Sequence, residues 1–262
     1  MDKATLGGVV IAAGGILAGL LLEGGNFGQI LQPTAAMIVF GGTLGAILIQ
    51  FPLSVVLEAF RRLAHIFSAP NVDPLASVRE IIKYANQARR EGIVSLDQNL
   101  EQIDEPFLKK SLMLAVDGTE PQELRKMMEL DLDNQAERDE NLAHVFEAAG
   151  GFSPTIGIIG AVLGLIQVMQ HLDKIDEVGK GIAVAFVATI YGVGAANLFL
   201  LPAAGKLRMR TRAEQIVREM TLEGVVSILE GMNPRMIETK LLGFLADAEK
   251  PGPAAPAPEP SQ

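Results

Sequence analysis

The chain has 262 residues, of which 22 are basic and 31 acidic, so its formal net charge is −9, and it contains no cysteine. The acidic balance argues against nucleic-acid binding, because a phosphate-neutralising surface needs a basic excess. The lack of cysteine excludes disulfides, thiolate metal sites and cysteine nucleophiles. A hydrophobic fraction of 49% and a positive mean hydropathy instead predict a membrane block joined to a polar domain.

Four apolar stretches contain no Asp, Glu, Lys or Arg: residues 4–22, 34–51, 154–170 and 181–204. Each is close to the ~20 residues that a helix needs to cross ~30 Å of hydrocarbon, and a helix satisfies its own backbone hydrogen bonds, which lipid cannot do. The first stretch follows a single basic residue and is rich in glycine, which is typical of a packed membrane helix rather than a signal peptide. The sequence therefore predicts an all-α, polytopic membrane protein with four transmembrane helices and a helical cytoplasmic domain.

The absence of charge from these stretches bears on function. Proteins that move ions across a bilayer usually keep an ionisable side chain inside it. If this chain takes part in ion transport, the carboxylate must come from another polypeptide, which argues against an autonomous transporter.

Basic residues near the span ends predict the orientation, because they stay on the cytoplasmic side. The opposite loops offer only Lys174 and Lys180 beside acidic residues, whereas most basic residues lie on one side of the four stretches, at Lys3, Arg61, Arg62, Lys206, Arg208, Arg210 and Arg212. Both termini are therefore predicted to be cytoplasmic. The expected segments are 1–51 with transmembrane helices 1 and 2 and a short outer loop, 52–150 as a cytoplasmic helical domain, 151–204 with transmembrane helices 3 and 4, 205–249 as cytoplasmic C-terminal helices, and 250–262 as a disordered Pro/Ala-rich tail.

Start and stop signals divide the polar segments into helices. Asp73-Pro74 opens a helix through Glu91, and Gly92 ends it. The remaining expectations are a helix from Ser95, a long run from the capping-box sequence at Thr119 that feeds the third span, a continuation of the fourth span over Lys206 to Glu230, and a last helix from Asn233-Pro234 to near Asp247.

Small residues recur at the four-residue interval of helix packing in the spans. Helices in lipid associate through close small-residue contacts, so Gly160, Gly164 and Gly192 are predicted to line packing faces, as are Gly15 with Gly19 and Gly41 with Gly45. Packing within the chain alone, and packing that also joins subunits, both remain open.

Few polar or helix-breaking residues lie in the spans. Pro154 and Pro202 both fall near the inner membrane face, because the third and fourth spans run antiparallel, and they suggest a hinge zone. Ala161 shares a helix stripe with Pro154, and Thr189 lies on the neighbouring helix. Such a face could border a narrow polar path, although a lone threonine usually bonds to its own helix.

A charged turn in the cytoplasmic domain consists of Arg89, Arg90, Glu91 and Asp97 around Gly92. It is either a solvated helix end or a docking surface for a protein. The three histidines lack the spacing of a zinc site, and no phosphate-binding loop or nucleophile elbow is present. No enzymatic activity and no cofactor are therefore expected.

Three segments together resemble the MotA/PomA family of flagellar motor stator subunits: residues 151–166 (GFSPTIGIIGAVLGLI), residues 181–207 (GIAVAFVATIYGVGAANLFLLPAAGKL) and the charged turn 89–97. The resemblance extends over nearly the whole chain to about Glu249. It implies a pentameric ring in the lipid of the bacterial inner membrane, around the helices of two MotB subunits. MotB would carry the ion-binding aspartate and anchor the complex to peptidoglycan.

The resemblance also implies residue roles. Pro154 and Pro202 match the prolines that face the MotB aspartate, Thr189 matches a hydroxyl beside the ion route, and Thr155 adjoins Pro154. Arg89 and Asp97 match the charges that engage the rotor protein FliG. Sodium-driven members have threonine where this chain has Ala161, and losing an oxygen ligand disfavours a hard cation, so protons are the expected ion.

Three alternatives to a proton-driven stator remain. A sodium-driven PomA-type stator differs only in the ion. An ExbB/TolQ-like energiser of outer-membrane processes has one span before its cytoplasmic domain, whereas two are predicted here. A plain scaffold would use the glycine stripes only to hold a complex together.

Overall fold

A computed structural model describes residues 3–68 and 73–248, and these residues form an all-α protein with no strand. The class predicted from the sequence is confirmed. The tail predicted to be disordered, 250–262, lies outside the described residues. The helices are α1 (Lys3–Leu22), α2 (Pro33–Ala36), α3 (Gly42–Gln50), α4 (Leu53–Ser68), α5 (Pro74–Glu91), α6 (Pro106–Val116), α7 (Pro121–Gln170), α8 (Ile175–Ala195), α9 (Leu201–Leu229) and α10 (Pro234–Ala248).

Non-α turns interrupt this series at four places. A π-helical turn, Met37–Gly41, joins α2 to α3, and another, Ala196–Leu200, joins α8 to α9. Short 3-10 segments cover Phe27–Gln29 and Ile93–Gln102.

The described chain divides into two compact units, to which α7 and α9 both contribute. We call residues 3–68 with 137–210 the span unit, and residues 73–136 with 211–248 the polar unit.

Apolar helices long enough to cross a membrane lie in the span unit or run through it. Four such segments occur in the described part of the chain: Thr5–Leu22, Pro33–Gln50, and windows within Pro121–Gln170 and Glu177–Leu229. None of the first window is buried within the chain (0%), so α1 exposes apolar side chains all round. Such a helix is stable only against lipid or another protein.

An aromatic and aliphatic cluster closes the charged end of the span unit. Helix α4, which the sequence signals did not predict, buries Val56, Ala59 and Leu63 against Phe146 of α7 and Leu207 of α9. The rings of Phe60 and Phe146 pack edge to face, with their centroids 5.1 Å apart.

A charged clamp joins α7 to α9 in the same unit. The Arg208 guanidinium donates to Glu147 at 2.6 and 3.2 Å and to Glu140 at 2.9 Å. The hydrogen bonds from Arg208, and next the one from His144, hold the pKa of Glu147 at about 2, below its ordinary 4.5. A two-pronged arginine–carboxylate pair fixes orientation better than a single contact, so the clamp sets the register of the two helices.

This clamp predicts a pH-dependent loss of stability. A lowered pKa means that the Glu147 carboxylate stabilises the fold above about pH 4.5 and that its contribution disappears as the pH falls towards 2. Glu147 is 42% exposed, so Glu147→Gln should cost only ~1 kcal/mol or less at pH 7. In thermal melts of the detergent-solubilised protein, the variant and the parent should converge between pH 4.5 and 2. Glu137→Gln, on the same helix but outside any ion pair of the described residues, should match the parent at every pH.

The polar unit has a separate hydrophobic core. Its fully buried side chains include Ile81 of α5, Leu112 of α6, Met128 of α7 and Leu241 of α10. Burial raises the pKa of Glu223, but hydrogen bonds from Arg125 and Lys240 outweigh it and leave the pKa lowered.

The helix signals at Asp73 and Gly92 are confirmed. The Asp73 carboxylate accepts a hydrogen bond from the Leu75 amide at 3.0 Å, and α5 ends at Glu91. The long run into the third span is also confirmed, since α7 continues from Pro121 to Gln170. The helix expected from Ser95 is wrong: the segment is 3-10 from Ile93, and α6 begins only at Pro106. The Ser95 hydroxyl donates to the Gly92 carbonyl at 2.7 Å, the kind of local bond that competes with an α-helix.

Gly92 carries a testable backbone constraint. Its φ of +84° and ψ of 160° lie in a region that only glycine occupies easily. Gly92→Ala should therefore cost ~1–3 kcal/mol of stability, measured by thermal unfolding. Gly243→Ala is the matched control, because Gly243 is helical in α10 with open space around it, and alanine there should stabilise by up to ~1 kcal/mol. Equal changes in stability for the two variants would contradict the need for glycine at position 92.

Candidate functional site

Glycines bring the second half of α7 into backbone contact with α8. A β-carbon built on Gly192 would lie 2.5 Å from the Ser153 carbonyl oxygen and 3.0 Å from the Gly157 Cα. One on Gly160 would lie 2.8 Å from the Ala188 Cβ, and one on Gly164 would lie 2.9 Å from the Ala185 nitrogen. Gly160, Gly164 and Gly192 therefore belong to one seam within the chain, which we call the glycine seam.

The other glycine pairs singled out in the sequence face open space. Nothing lies within 4 Å of a β-carbon built on Gly15, Gly19, Gly41 or Gly45. These faces of α1 and of the second span therefore lack a partner within the described chain.

The two prolines lie at neighbouring levels of the span unit. Gly150, one turn before Pro154, lies against Leu201, which precedes Pro202: a β-carbon built on Gly150 would lie 2.5 Å from the Leu201 side chain. Neither proline can donate to the carbonyl four residues earlier. Pro154 is tolerated inside α7, and Pro202 follows directly after the π-helical turn Ala196–Leu200. The helical turn before Pro154 therefore packs against the residue that precedes Pro202.

The threonine hydroxyls bond to their own helices. Thr189 Oγ1 donates to the Ala185 carbonyl at 3.2 Å, and Thr155 Oγ1 donates to the Phe152 carbonyl at 2.8 Å. Thr189 also adjoins the glycine seam, because its Cα would lie 3.5 Å from a β-carbon built on Gly157.

An open apolar stripe runs along α7 from Pro154. Ile158 and Leu165 on this stripe are 57% and 50% exposed, and Ala161 between them is half-buried. We call these residues the open stripe. It offers a helix-sized surface without a charged group.

One polar residue at the site, Ser153, was not predicted from the sequence, and for Tyr191, a polar residue of the fourth span, the partners were not predicted. Ser153 is fully buried on the glycine seam, and its hydroxyl has no hydrogen-bond partner among the described residues. The Tyr191 hydroxyl donates to the Ile30 carbonyl and accepts from the Gln32 amide at 3.3 Å, which ties α8 to the start of the second span. Ser153 lies one residue before the charge-free stretch 154–170, and the partners of Tyr191 are some 160 residues away in sequence.

The charged turn lies in the polar unit. Arg89, Arg90 and Glu91 are exposed at the end of α5, and Asp97 is exposed on the 3-10 segment. No ion pair with any described residue engages these four side chains. Gln87 fixes the 3-10 segment to α5 by donating to the Ser95 carbonyl at 3.1 Å and to Asn99 Oδ1 at 2.9 Å. The turn therefore presents unpaired charges on a braced support.

No group of three or more His, Cys, Asp or Glu side chains that could hold a metal ion occurs in the part of the chain that the structure describes.

These observations define the class: an all-α membrane protein whose apolar spans pack through glycine and contain no Asp, Glu, Lys or Arg. Residues 99–220 match the MotA/TolQ/ExbB proton channel family, and residues 6–91 match the motility protein A N-terminal family. The chain is 35% identical to motility protein A of Bacillus subtilis over 94% of this chain and 91% of that protein.

Two solved structures have the same fold. The MotAB structure from C. jejuni matches with a TM-score of 0.88 and 30% identity over 93% of this chain and 96% of that one. The flagellar MotAB stator complex from Bacillus subtilis matches with a TM-score of 0.85 and 35% identity over 94% and 98%. The chain therefore belongs to the motility protein A family, and its function is that of a flagellar motor stator subunit. The family prediction made from the sequence is confirmed, and the family is one of ion-channel components rather than of known enzymes.

Proposed function

We propose that this chain forms the proton-driven ring of a stator in the bacterial inner membrane, with both termini cytoplasmic. The ring is a pentamer around the helices of two MotB subunits, and MotB supplies the aspartate that binds the ion. The observation that carries this proposal is the open stripe from Pro154 to Leu165, an exposed apolar face in spans that contain no Asp, Glu, Lys or Arg. A partner helix with one carboxylate completes such a site.

The energetics of the MotB carboxylate explain how its contact with the apolar ring produces work. A protonated acid is tolerated against an apolar wall, whereas its anion at membrane depth costs several kcal/mol. Each proton that binds and leaves therefore changes which part of the ring the partner helix prefers. The driving energy of ~2.3 kcal/mol per charge per 100 mV is several times thermal energy, which is enough to bias small steps without a covalent intermediate.

Each predicted site residue has a role in this scheme. Pro154 and Pro202 face the MotB aspartate and couple its protonation to ring movement, with Thr155 beside them and Thr189 along the ion route. Ala161 presents a methyl group where a sodium site needs oxygen, because hard cations take several oxygen ligands.

The charged turn provides the contact to the rotor. Arg89, Arg90, Glu91 and Asp97 engage FliG, and their exposure and lack of ion pairs within the described residues support this role. The open glycine faces of α1 and of the second span serve contacts with neighbouring subunits and lipid.

A swimming assay tests the proposal. A flagellated strain without its own stators should swim when it carries this chain together with its MotB partner. Replacing sodium by potassium in the medium should leave swimming speed unchanged, and a protonophore should stop it. A speed that follows the sodium concentration would contradict the proton assignment, and a failure to restore swimming with an assembled complex would contradict the motor function.

A further inference from the structure

A small apolar pocket lies beside the charged turn in the polar unit. Its volume is about 150 Å³. Ala85 and Ile228 are buried at its floor, Ala88, Ile93 and Met232 form its walls, and the exposed Arg89 stands at its rim. We call it the apolar socket.

Two helix ends create the socket. Helix α5 ends at Glu91, just before Gly92, and α9 ends at Leu229, two residues before Gly231; both glycines have a positive φ, +84° and +71°. The chain turns away at each glycine, and the alanines at positions 85 and 88 are too small to fill the space left between the two ends. Apolar side chains that line an open space face water, so an apolar side chain that enters the space is favoured because it removes apolar surface from water.

The size and chemistry of the socket specify what enters it. An apolar cavity of about 150 Å³ accommodates a benzene ring, so the socket fits one leucine, methionine or phenylalanine side chain. The guanidinium at the rim fits a carboxylate next to that side chain. On a helix, such neighbours lie three or four residues apart.

We propose that the apolar socket receives one apolar side chain from an amphipathic helix of the rotor protein, on which a carboxylate one turn away pairs with Arg89. This inference rests on the proposed rotor contact, because the socket is continuous with the charged turn through Arg89 and Ile93. Charges at a rim set the orientation and the rate of encounter, whereas a buried anchor holds the complex together once formed. The rim charge therefore sets the orientation of the partner helix, and the apolar socket holds that helix once it is bound.

The test compares two methionines near the turn between α9 and α10. Met232 lines the socket, while Met236, at the start of α10, is 64% exposed and does not line it. The full chain is purified with its MotB subunit, and its Kd for purified FliG is measured by biolayer interferometry. Met232→Gln should raise the Kd about tenfold, which corresponds to ~1.4 kcal/mol, and Met236→Gln should leave it unchanged.

A second variant tests the socket by filling it. Ala88→Leu places a side chain in the space itself and should also raise the Kd about tenfold. It carries the test if Met232→Gln does not assemble, as judged by size-exclusion chromatography. The loss caused by Met232→Gln should persist in high salt, whereas the loss caused by Arg89→Glu should shrink, because salt screens exposed charges.

The outcomes separate the socket from the rotor contact. If Arg89→Glu weakens FliG binding while Met232→Gln and Ala88→Leu bind like the parent, the socket is refuted and the charged turn keeps its role. If the parent complex does not bind FliG, or if all three variants bind equally well, both the socket and the rotor contact are overturned.

Discussion

Gly192→Ala should prevent the chain from accumulating as a stable complex in the membrane. The added methyl group would meet the Ser153 carbonyl oxygen at 2.5 Å and the Gly157 Cα at 3.0 Å. Both are backbone atoms, so neither can rotate away, and α7 and α8 must move apart along the glycine seam. We expect a cost of ~3 kcal/mol, at the upper end of overpacking effects. It is measured by the thermal unfolding of the detergent-solubilised protein and by its abundance in membranes.

Gly194 provides the matched control for this substitution. It lies two residues along the same helix, and a β-carbon there has nothing within 4 Å. Gly194→Ala should unfold at the parental temperature. If the two variants are equally stable, the close approach of α7 and α8 is not what holds the span unit together.

Pro202→Ala should give a complex that assembles but does not drive rotation. Alanine restores an amide donor for the Leu198 carbonyl, within the π-helical turn Ala196–Leu200 that precedes Pro202. A more regular helix then replaces the weakened point at Pro202. We expect swimming speed to fall at least tenfold, with membrane abundance unchanged.

Pro106→Ala is the control for removing a proline. Pro106 is the first residue of α6, where a missing amide donor costs nothing, and this variant should swim normally. Parental swimming of Pro202→Ala would contradict a coupling role for Pro202. Loss of assembly would instead make this proline a structural residue.

Local signals in the sequence predicted much of the fold. The Asp73 cap, the stop at Gly92, the unbroken run of α7 and the start of α10 after Asn233 all depend on nearby residues, and the structure contains each of them. The 3-10 segment was not predictable in the same way, because its geometry follows from side chains such as Gln87 that reach it from α5.

The candidate site was predictable in its residue types but not in its partners. The four-residue spacing of glycine indicated packing faces, yet only the structure distinguishes the seam of Gly160, Gly164 and Gly192 from the open faces of Gly15 and Gly41. The π-helical turns at Met37–Gly41 and Ala196–Leu200 were likewise not predicted from the sequence. The hydrogen bonds of Tyr191 depend on backbone atoms of Ile30 and Gln32, just before the second span.

Proton flux into liposomes is the most direct test of the central claim. The claim is that this chain forms the apolar surface around an ion-binding carboxylate that comes from MotB and is absent from its own spans. Vesicles with the chain alone, with the chain and MotB, and with the chain and a MotB whose membrane aspartate is changed to asparagine are given the same membrane potential and followed with an internal pH dye. We predict flux only in the second preparation. Equal flux from the chain alone would contradict the account.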